Sequence, residues 1–141
     1  MIGKTFIDSN VLIYAHDLDA GRKRDVANAA LRGLWNDRSG VLSLQVLQEF
    51  YVNVTRKIPK PLERPMARRV VDTYAAWCIE TTPSDISVAF QIEDESRIGF
   101  WDALIVSSAV KSGAGRILSE DLRSGHRIAG ILIENPFGPK L

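Results

Sequence analysis

The sequence is poor in the residues that define disulfide-rich, zinc-binding and membrane proteins. Cys78 is its only cysteine, which excludes an internal disulfide framework and any site built from several cysteines. The chain has only two histidines, and no apolar run is long enough to span a bilayer or to form the core of a secretory signal peptide. These absences predict an intracellular, cytoplasmic protein that does not enter a membrane.

An excess of charge of one sign is also lacking. The 18 Lys and Arg residues are balanced by 17 Asp and Glu residues, so the formal net charge is +1. The chain is therefore not a polycation that coats nucleic acid, and any such binding must come from local basic patches. With 141 residues, of which 45% are hydrophobic, the composition is typical of one globular domain over residues 1–141.

Apolar residues recur with two periods along the chain, in short strand-like runs and in longer helix-like segments. Strands and helices alternate, and no repeat or domain boundary interrupts them. This order predicts an α/β fold, a three-layer sandwich with a central and mainly parallel sheet. The predicted strands lie at 5–7, 39–43, 116–119 and 131–135, and the predicted helices at about 11–15, 23–36, 44–57, 66–74, 83–96 and 100–112.

Several local signals refine this outline. Ser43 is a candidate cap for the third helix, and Thr82–Asp85 combines a cap, a proline and an acid in the order that starts helices. Cys78–Glu80 is a candidate strand, and residues 120–130 are expected to form a loop with a turn of helix. Four aromatic side chains are expected in the core rather than on a binding surface. They are Tyr51, Trp77, Phe100 and Trp101.

Acidic residues occur close to the ends of the predicted strands. In open α/β sheets ligands bind beyond the carboxyl ends of the strands, so acids at these positions are candidates for a site. Asp8 directly follows the first strand, and Glu120 and Asp121 directly follow a later one. Glu49 lies about 9 Å along its helix from the predicted cap, and Asp102 lies in the first turn of its helix. At least three elements can therefore bring a carboxylate to the same edge of the sheet.

The joint pattern of these acids indicates a metal site, although a single aspartate in a first helical turn is usually a cap or a dipole partner. Carboxylates that meet in a partly dry cleft repel one another, so some take up protons unless a cation neutralises them. The ligands would all be oxygen atoms, which favours Mg²⁺ or Mn²⁺ over Zn²⁺. Such a cation suits phosphoryl chemistry, because it activates water and stabilises the leaving oxygen.

Four segments around the acids occur in a characteristic order. They read FIDSNVLIYA, SLQVLQEFYVNVTRK, FWDALIVSSA and ILSEDLRSG. In these segments the chain resembles the PIN-domain family, and it is most similar to the VapC-type toxins. The resemblance implies a Mg²⁺-dependent endoribonuclease, a homodimer, and a cognate VapB-like antitoxin that blocks the site. The acidic quartet that it implies is Asp8, Glu49, Asp102 and Asp121.

The resemblance also implies supporting residues around this quartet. Ser119 stands two positions before the last acid, where family members carry a small hydroxyl residue, most often threonine. Because Glu120 lies beside Asp121, either could be the fourth acid, and the spacing from Ser119 favours Asp121. Asn10 either orders the loop after the first strand or contacts the substrate.

An acidic site that cuts RNA needs positive charge nearby. One basic cluster lies within residues 56–69 and a second, RKR, at 22–24; each either contacts phosphates or forms a solvated helix face. His16 and His126 are expected at the surface or at a helix end rather than in catalysis. The basic residues of the main cluster are Arg56, Lys57, Lys60, Arg64, Arg68 and Arg69.

Two other classes of function remain alternatives. An aspartyl phosphatase or a receiver domain would transfer a phosphoryl group to Asp8. The phosphatase would need a second acid two residues later, where Asn10 stands, and the receiver would need paired acids and a late lysine that are not evident. The other alternative is a non-catalytic binding module whose acids are structural.

Overall fold

A five-stranded sheet runs through the centre of the protein and carries helices on both faces, in a computed structural model that describes residues 3–138. The predicted sandwich with a mainly parallel central sheet is confirmed. The strands are β1 (Lys4–Ile7), β2 (Gly40–Val41), β3 (Ala114–Leu118), β4 (Arg127–Ile128) and β5 (Ile131–Glu134). The α-helices are α1 (Ser9–Ala15), α2 (Arg22–Asp37), α3 (Leu44–Arg56), α4 (Arg64–Tyr74), α5 (Pro83–Ser96) and α6 (Phe100–Ser112).

β1 lies inside the sheet, whose strand order is β2-β1-β3-β5-β4. It pairs in parallel with β2 and β3, β5 is parallel to β3, and only β4, at the edge, is antiparallel. A parallel strand covered on both faces is apolar along its length, and Phe6 and Ile7 are fully buried. Ile7 is paired with Leu118 at the last position of both strands. The residues that follow β1 and β3 therefore lie next to each other at the carboxyl-terminal edge of the sheet.

The helices bury the apolar faces that the sequence predicts. In α3, Leu47, Phe50 and Val54 lie in the core. The capping box that starts α5 is present, since the Asp85 carboxylate accepts a 2.7 Å hydrogen bond from the Thr82 backbone N–H. The buried side chains of the described residues form one hydrophobic core. No helix within residues 3–138 is long and apolar enough to cross a bilayer.

The loop predicted at 120–130 contains β4 instead of a turn of helix. Ile128 pairs with Ile131 across a two-residue turn formed by Ala129 and Gly130, whose φ angles are 51° and 81°. Positive φ at both turn positions is typical of a type I′ hairpin, which normally uses Asn-Gly or Asp-Gly. Because alanine occupies the first position, the sequence lacks the usual hairpin signal, and the prediction for this segment is wrong.

The local predictions for Cys78–Glu80 and Trp101 are wrong, and Ser43 has the predicted N-cap position without the capping hydrogen bond. Cys78–Glu80 is not a strand; Cys78 contributes a single parallel bridge to Leu42. Trp101, expected in the core, is 66% exposed, although Trp77 is 7% exposed as expected. The reason is the place of Trp101 in the first turn of α6, before the helix reaches its buried residues. Ser43 occupies the N-cap of α3, but its buried hydroxyl makes no hydrogen bond.

Gly40 in β2 leads to a prediction about stability. A Cβ atom at this position would come within 2.7 Å of the Trp77 ring, which packs against Trp35 and Tyr74 at centroid distances of 4.5 and 5.0 Å. We expect Gly40→Ala to lower the free energy of unfolding by about 1–3 kcal/mol, because overpacking forces side chains from their preferred rotamers. Gly33→Ala, in α2 and with open space around it, should raise that free energy by about 0.5–1 kcal/mol. Urea unfolding measures the free energy of unfolding of both variants. Equal changes for Gly40→Ala and Gly33→Ala would contradict the packing argument.

Candidate active site

The first acid lies where the ends of β1 and β3 meet. Asp8 follows β1 and is the N-cap residue of α1. Its backbone N–H donates to the carbonyl oxygen of Leu118 at 3.0 Å, which continues the pairing of the two strands by one residue. Ser119 follows β3, and its hydroxyl donates to Asp8 Oδ2 at 2.7 Å. The two strand ends are thus joined directly through the carboxylate of Asp8.

Burial makes the carboxylate of Asp8 harder to ionise than an exposed one. The residue is 5% exposed, and desolvation raises its pKa from 3.8 to about 6. Hydrogen bonds from the Ser119 hydroxyl and the Ser9 backbone N–H oppose this rise, whereas the negative charges of Glu49 and Asp121 add to it. Asp8 is therefore a buried acid that other acids repel. In such an environment a nearby cation strongly favours the ionised carboxylate.

Asn10 connects the two loops that contain acids. Its side-chain nitrogen lies 3.4 Å from Asp8 Oδ2, 3.4 Å from Ser119 Oγ and 3.2 Å from Asp121 Oδ2. Its side-chain oxygen accepts a hydrogen bond from the backbone N–H of Glu120 at 3.1 Å. These contacts fix the segment after β3 relative to α1.

The other two acids come from helices. Glu49 is half-buried on α3, and Asp102 lies in the first turn of α6. Burial raises the pKa of Glu49, and the charges of Asp102 and Asp121 raise it further. Burial also raises the pKa of Asp102, with an additional contribution from the charge of Asp121. The ionisation of Asp8, Glu49 and Asp102, which come from three separate segments, is therefore opposed by burial and by the charge of a neighbouring acid.

Glu120 points towards α1 and α2. Lys23 Nζ lies 2.6 Å from Glu120 Oε2, and the hydroxyl of Tyr14 donates to Glu120 Oε1 at 2.7 Å. The ammonium group also lies 4.8 Å from the centre of the Tyr14 ring. Since Asp121 faces Asn10 while Glu120 binds Lys23 and Tyr14, the geometry favours Asp121 as the fourth acid. Lys23, which the sequence groups with the basic cluster RKR, is an ion-pair partner of Glu120.

The acids suit a hard divalent cation in donor chemistry and in charge. They offer only oxygen ligands, which Mg²⁺ and Mn²⁺ prefer, and three of them have pKa values raised by a neighbouring acid. Across the described residues 3–138, no three His, Cys, Asp or Glu side chains are arranged so that they could hold a metal ion. The acids are thus near enough to repel but do not converge on one point, as expected of carboxylates without a counter-charge.

The basic residues predicted to contact RNA lie around the end of α3 and the start of α4, and all six are exposed. Arg56 is seven residues beyond Glu49, which places it on the same face of α3 about 10 Å away along the axis. Arg68 Nε lies 3.3 Å from the hydroxyl of Tyr51, which is half-buried rather than in the core. The structure therefore places this group beside the acids along α3 rather than among them.

The histidines lie where the sequence suggests. His16 is the C-cap residue of α1, its ring is 5.4 Å from that of Phe50, and burial lowers its pKa. His126 is exposed next to β4. Neither position suggests an acid–base pair of the kind that a metal-free ribonuclease needs.

A family model for the PIN domain matches residues 5–130, a span that includes both strand ends and all four acids. The chain belongs to the PIN-domain family. This membership confirms the resemblance found in the four segments around the acids.

Solved toxin–antitoxin proteins share the fold of this PIN domain. A chain of a toxin–antitoxin complex from Klebsiella pneumoniae has a TM-score of 0.68 at 19% identity, covering 94% of this chain and 98% of that one. VapBC2 from Rickettsia felis, bound to a DNA fragment from its promoter, gives 0.66 at 20% identity, with coverage of 93% and 97%. VapC20 of Mycobacterium tuberculosis, a sarcin–ricin loop cleaving toxin, gives 0.54 at 19% identity, with coverage of 84% and 92%. No curated protein matches the sequence significantly.

Some residues that shape the site of this PIN domain escape sequence reasoning. Tyr14 binds a carboxylate 106 residues away, and no local pattern indicates such a contact. Gln45, one turn before Glu49 on α3, hydrogen-bonds its carboxylate and so opposes the rise that burial causes in the pKa of that acid. The i, i+4 spacing of the two residues is a weak signal that could have suggested this pair.

The raised pKa of Asp8 predicts how the stability of the metal-free protein depends on pH. The folded state holds its proton up to about pH 6, whereas the unfolded chain releases it near 3.8. The free energy of unfolding should therefore fall as pH rises through this window, by up to about 3 kcal/mol from this residue. Asp8→Asn cannot ionise, so it should be more stable than the wild type at pH 7 and similar near pH 4.

Urea unfolding in EDTA at several pH values measures this difference. Asp94→Asn, which removes an exposed carboxylate from α5, controls for the loss of one negative charge. Stability curves of the wild type and Asp8→Asn that run parallel from pH 4 to 7 would show that Asp8 ionises normally.

Proposed function

We propose that this PIN domain is an endoribonuclease that depends on Mg²⁺, or on Mn²⁺ in its place, and hydrolyses phosphodiester bonds of RNA. The observation that carries the proposal is the acidic cluster Asp8, Glu49, Asp102 and Asp121, in which burial and the charge of a neighbouring acid raise the pKa values of Asp8, Glu49 and Asp102. Such repulsion destabilises the folded protein at neutral pH. Perturbed acids in one cleft are typical of functional sites, and a cation would neutralise them.

Each acid has a role in this proposal. A bound divalent cation would supply activation of water and neutralisation of negative charge on the phosphodiester. Asp8 and Asp102 would be the main ligands. Glu49 and Asp121 would complete the site or orient water through hydrogen bonds.

Ser119 and Asn10 keep Asp8 available as a ligand. The hydroxyl of Ser119 donates to Asp8 Oδ2, a contact that favours the ionised carboxylate and fixes its orientation. Asn10 spans the distance between Asp8 and Asp121 with one amide group. Both are positioning residues, and the loop after β3 would lose its order without them.

The substrate would reach the acids from the basic residues near the end of α3. A polyanion is repelled by uncompensated acids, so flanking positive charge is needed to bind it. Arg56 is the last residue of α3, the helix that carries Glu49, and the exposed basic residues that follow it lie in the next connection and on α4. Together they would contact successive phosphates. Arg22 and Arg24, exposed at the start of α2, offer a second contact.

We further propose that the chain is the toxin of a VapBC-like pair. The Klebsiella and Rickettsia relatives are toxin–antitoxin complexes, and the Mycobacterium relative is a toxin that cleaves the sarcin–ricin loop. By analogy, a VapB-like antitoxin would block the acidic site, the toxin would be a homodimer, and it would act in the cytoplasm. The likeness in fold and the four segments around the acids support this extension.

The first test of the proposed function is cleavage of RNA by acid variants. Asp8→Asn and Asp102→Asn should each lower the cleavage rate by at least about 100-fold, because each removes several kcal/mol of electrostatic stabilisation from the reaction. End-labelled RNA incubated with Mg²⁺ or Mn²⁺ gives the rates. Near-wild-type cleavage by either variant would show that the residue is not a main ligand.

A matched pair of variants distinguishes the two candidates for the fourth acid. Asp121→Asn should lower the rate strongly, whereas Glu120→Gln should retain most of the activity because Glu120 binds Lys23 and Tyr14. The reverse order of effects would assign the role to Glu120.

The second test is binding of the cation itself, measured by thermal unfolding. A ligand that binds only the folded state stabilises it by about 2.7 kcal/mol at 100 times its Kd, which corresponds to several degrees in Tm for a protein of this size. We expect Mg²⁺ or Mn²⁺ to raise the Tm of the wild type and of Glu120→Gln, but not of Asp8→Asn. No shift for the wild type at millimolar concentrations of either ion would support the non-catalytic alternative.

A further inference from the structure

Trp101 is an unusually exposed aromatic residue next to the acidic cluster. Its side chain is 66% exposed, and it directly precedes Asp102 in the first turn of α6. The other two tryptophans are less exposed, Trp35 at 37% and Trp77 at 7%. An indole left in water costs free energy that burial would recover, so such a residue commonly marks a binding surface.

Trp101 forms one wall of a cavity that an acid of the cluster also lines. The cavity has a volume of about 270 Å³, and its lining residues are Gln45, Gln48, Glu49 and Trp101. The carbonyl oxygen of Trp101 accepts a hydrogen bond from Gln45 Nε2 at 3.3 Å, which ties the start of α6 to α3. Gln45 also hydrogen-bonds the carboxylate of Glu49. The backbone of Trp101 is thus held against α3, and its side chain lines the same cavity as Glu49.

The chemistry of this cavity suits a nucleobase. A base has a flat aromatic face that stacks on an indole, and it has edges with donors and acceptors that amide groups recognise. The exposed side chain of Gln48 provides both a donor and an acceptor on the cavity wall. An aliphatic ligand would make no use of the Gln48 amide.

We propose that Trp101 stacks on an unpaired base of the RNA substrate next to the cleaved phosphodiester, with the amide of Gln48 facing the edge of that base. The inference rests on the proposed ribonuclease function and specifies how its substrate is bound. It implies a preference for single-stranded RNA, because a base inside a duplex is not free to stack on the protein.

A second copy of the chain is a less suitable occupant of this surface. Phe90, which is 51% exposed, is linked to Trp101 through the ring of Phe100, so an apolar contact between copies is conceivable there. Covering Trp101 in this way would also close the cavity and bury the carboxylate of Glu49 further. Burial of an acid without a cationic partner is costly, and among residues 3–138 Glu49 has no salt-bridge partner.

Substitutions at Trp101 separate stacking from simple apolar contact. Trp101→Phe keeps an aromatic face, whereas Trp101→Leu keeps apolar surface without one. Trp101→Leu should lower kcat/KM for single-stranded RNA by about 5- to 150-fold, the range expected for loss of one base stack, and Trp101→Phe should recover most of the loss. Phe90→Leu, a matched change of an exposed aromatic residue outside the cavity, should leave kcat/KM unchanged.

A binding measurement makes the inference independent of cleavage. In an Asp8→Asn background, short single-stranded oligoribonucleotides of each base should quench tryptophan fluorescence, and Trp101→Phe should remove most of that quenching. Replacing the base on one side of the cleavage site by an abasic nucleotide should weaken RNA binding by the protein that retains Trp101. The same replacement should barely change RNA binding by Trp101→Leu. Gel filtration of all variants reports their oligomeric state.

The outcomes distinguish the stacking inference from the ribonuclease proposal. Quenching that depends on Trp101, without cleavage of any RNA by the wild type, would support the stacking site and contradict the nuclease function. Equal cleavage by the wild type and Trp101→Leu would overturn the stacking site and leave the nuclease function intact. A change of oligomeric state in Trp101→Leu but not in Trp101→Phe would also overturn the stacking site. The surface around Trp101 would then be a contact between two copies of the chain.

Discussion

The hydrogen bond from the Ser119 hydroxyl to the carboxylate of Asp8 links the ends of two neighbouring parallel strands. It forms because Ile7 and Leu118 are paired in register, so that the next residue of each strand emerges at the same point. Parallel pairing of β1 and β3 therefore fixes the positions of Asp8 and of its donor Ser119, whatever conformation the following loops adopt. Asn10 then orients the loop after β3 from this fixed point, and with it Asp121.

The same arrangement opposes folding stability. Asp8 is buried, other acids raise its pKa, and its ionisation at neutral pH costs free energy that the sheet and the core must offset. The strands next to Asp8 help to offset this cost, because their apolar residues Phe6, Ile7 and Ile117 are fully buried. A rigid core thus holds together an acidic edge that would separate if its segments were free to move.

The sequence was sufficient for the layers of the fold and for the set of candidate acids, because both follow from periodicity and from position relative to strand ends. It was insufficient where contacts join distant segments. The ion pair of Lys23 and Glu120 turns one of two adjacent acids towards α1 and α2, yet these residues lie far apart in the chain. The hairpin at Ala129 was missed because its turn lacks the usual Asn-Gly or Asp-Gly residues. Trp101 was wrongly predicted in the core, because apolar character alone does not distinguish a core residue from an exposed one.

The residues of the acidic site range from buried Asp8 to exposed Asp121 and Trp101, and this range suits the two functions proposed for the site. Asp8 is buried and held by hydrogen bonds from a strand end, Glu49 and Asp102 are half-buried on helices, and Trp101 lies in water. A cation needs ligands whose positions are fixed, because reorganising a charged group during each reaction is costly. A long flexible substrate needs contacts that it can reach without opening the protein. In the proposed function the parallel sheet would meet the first requirement and the first turn of α6, which also contains Asp102, would meet the second.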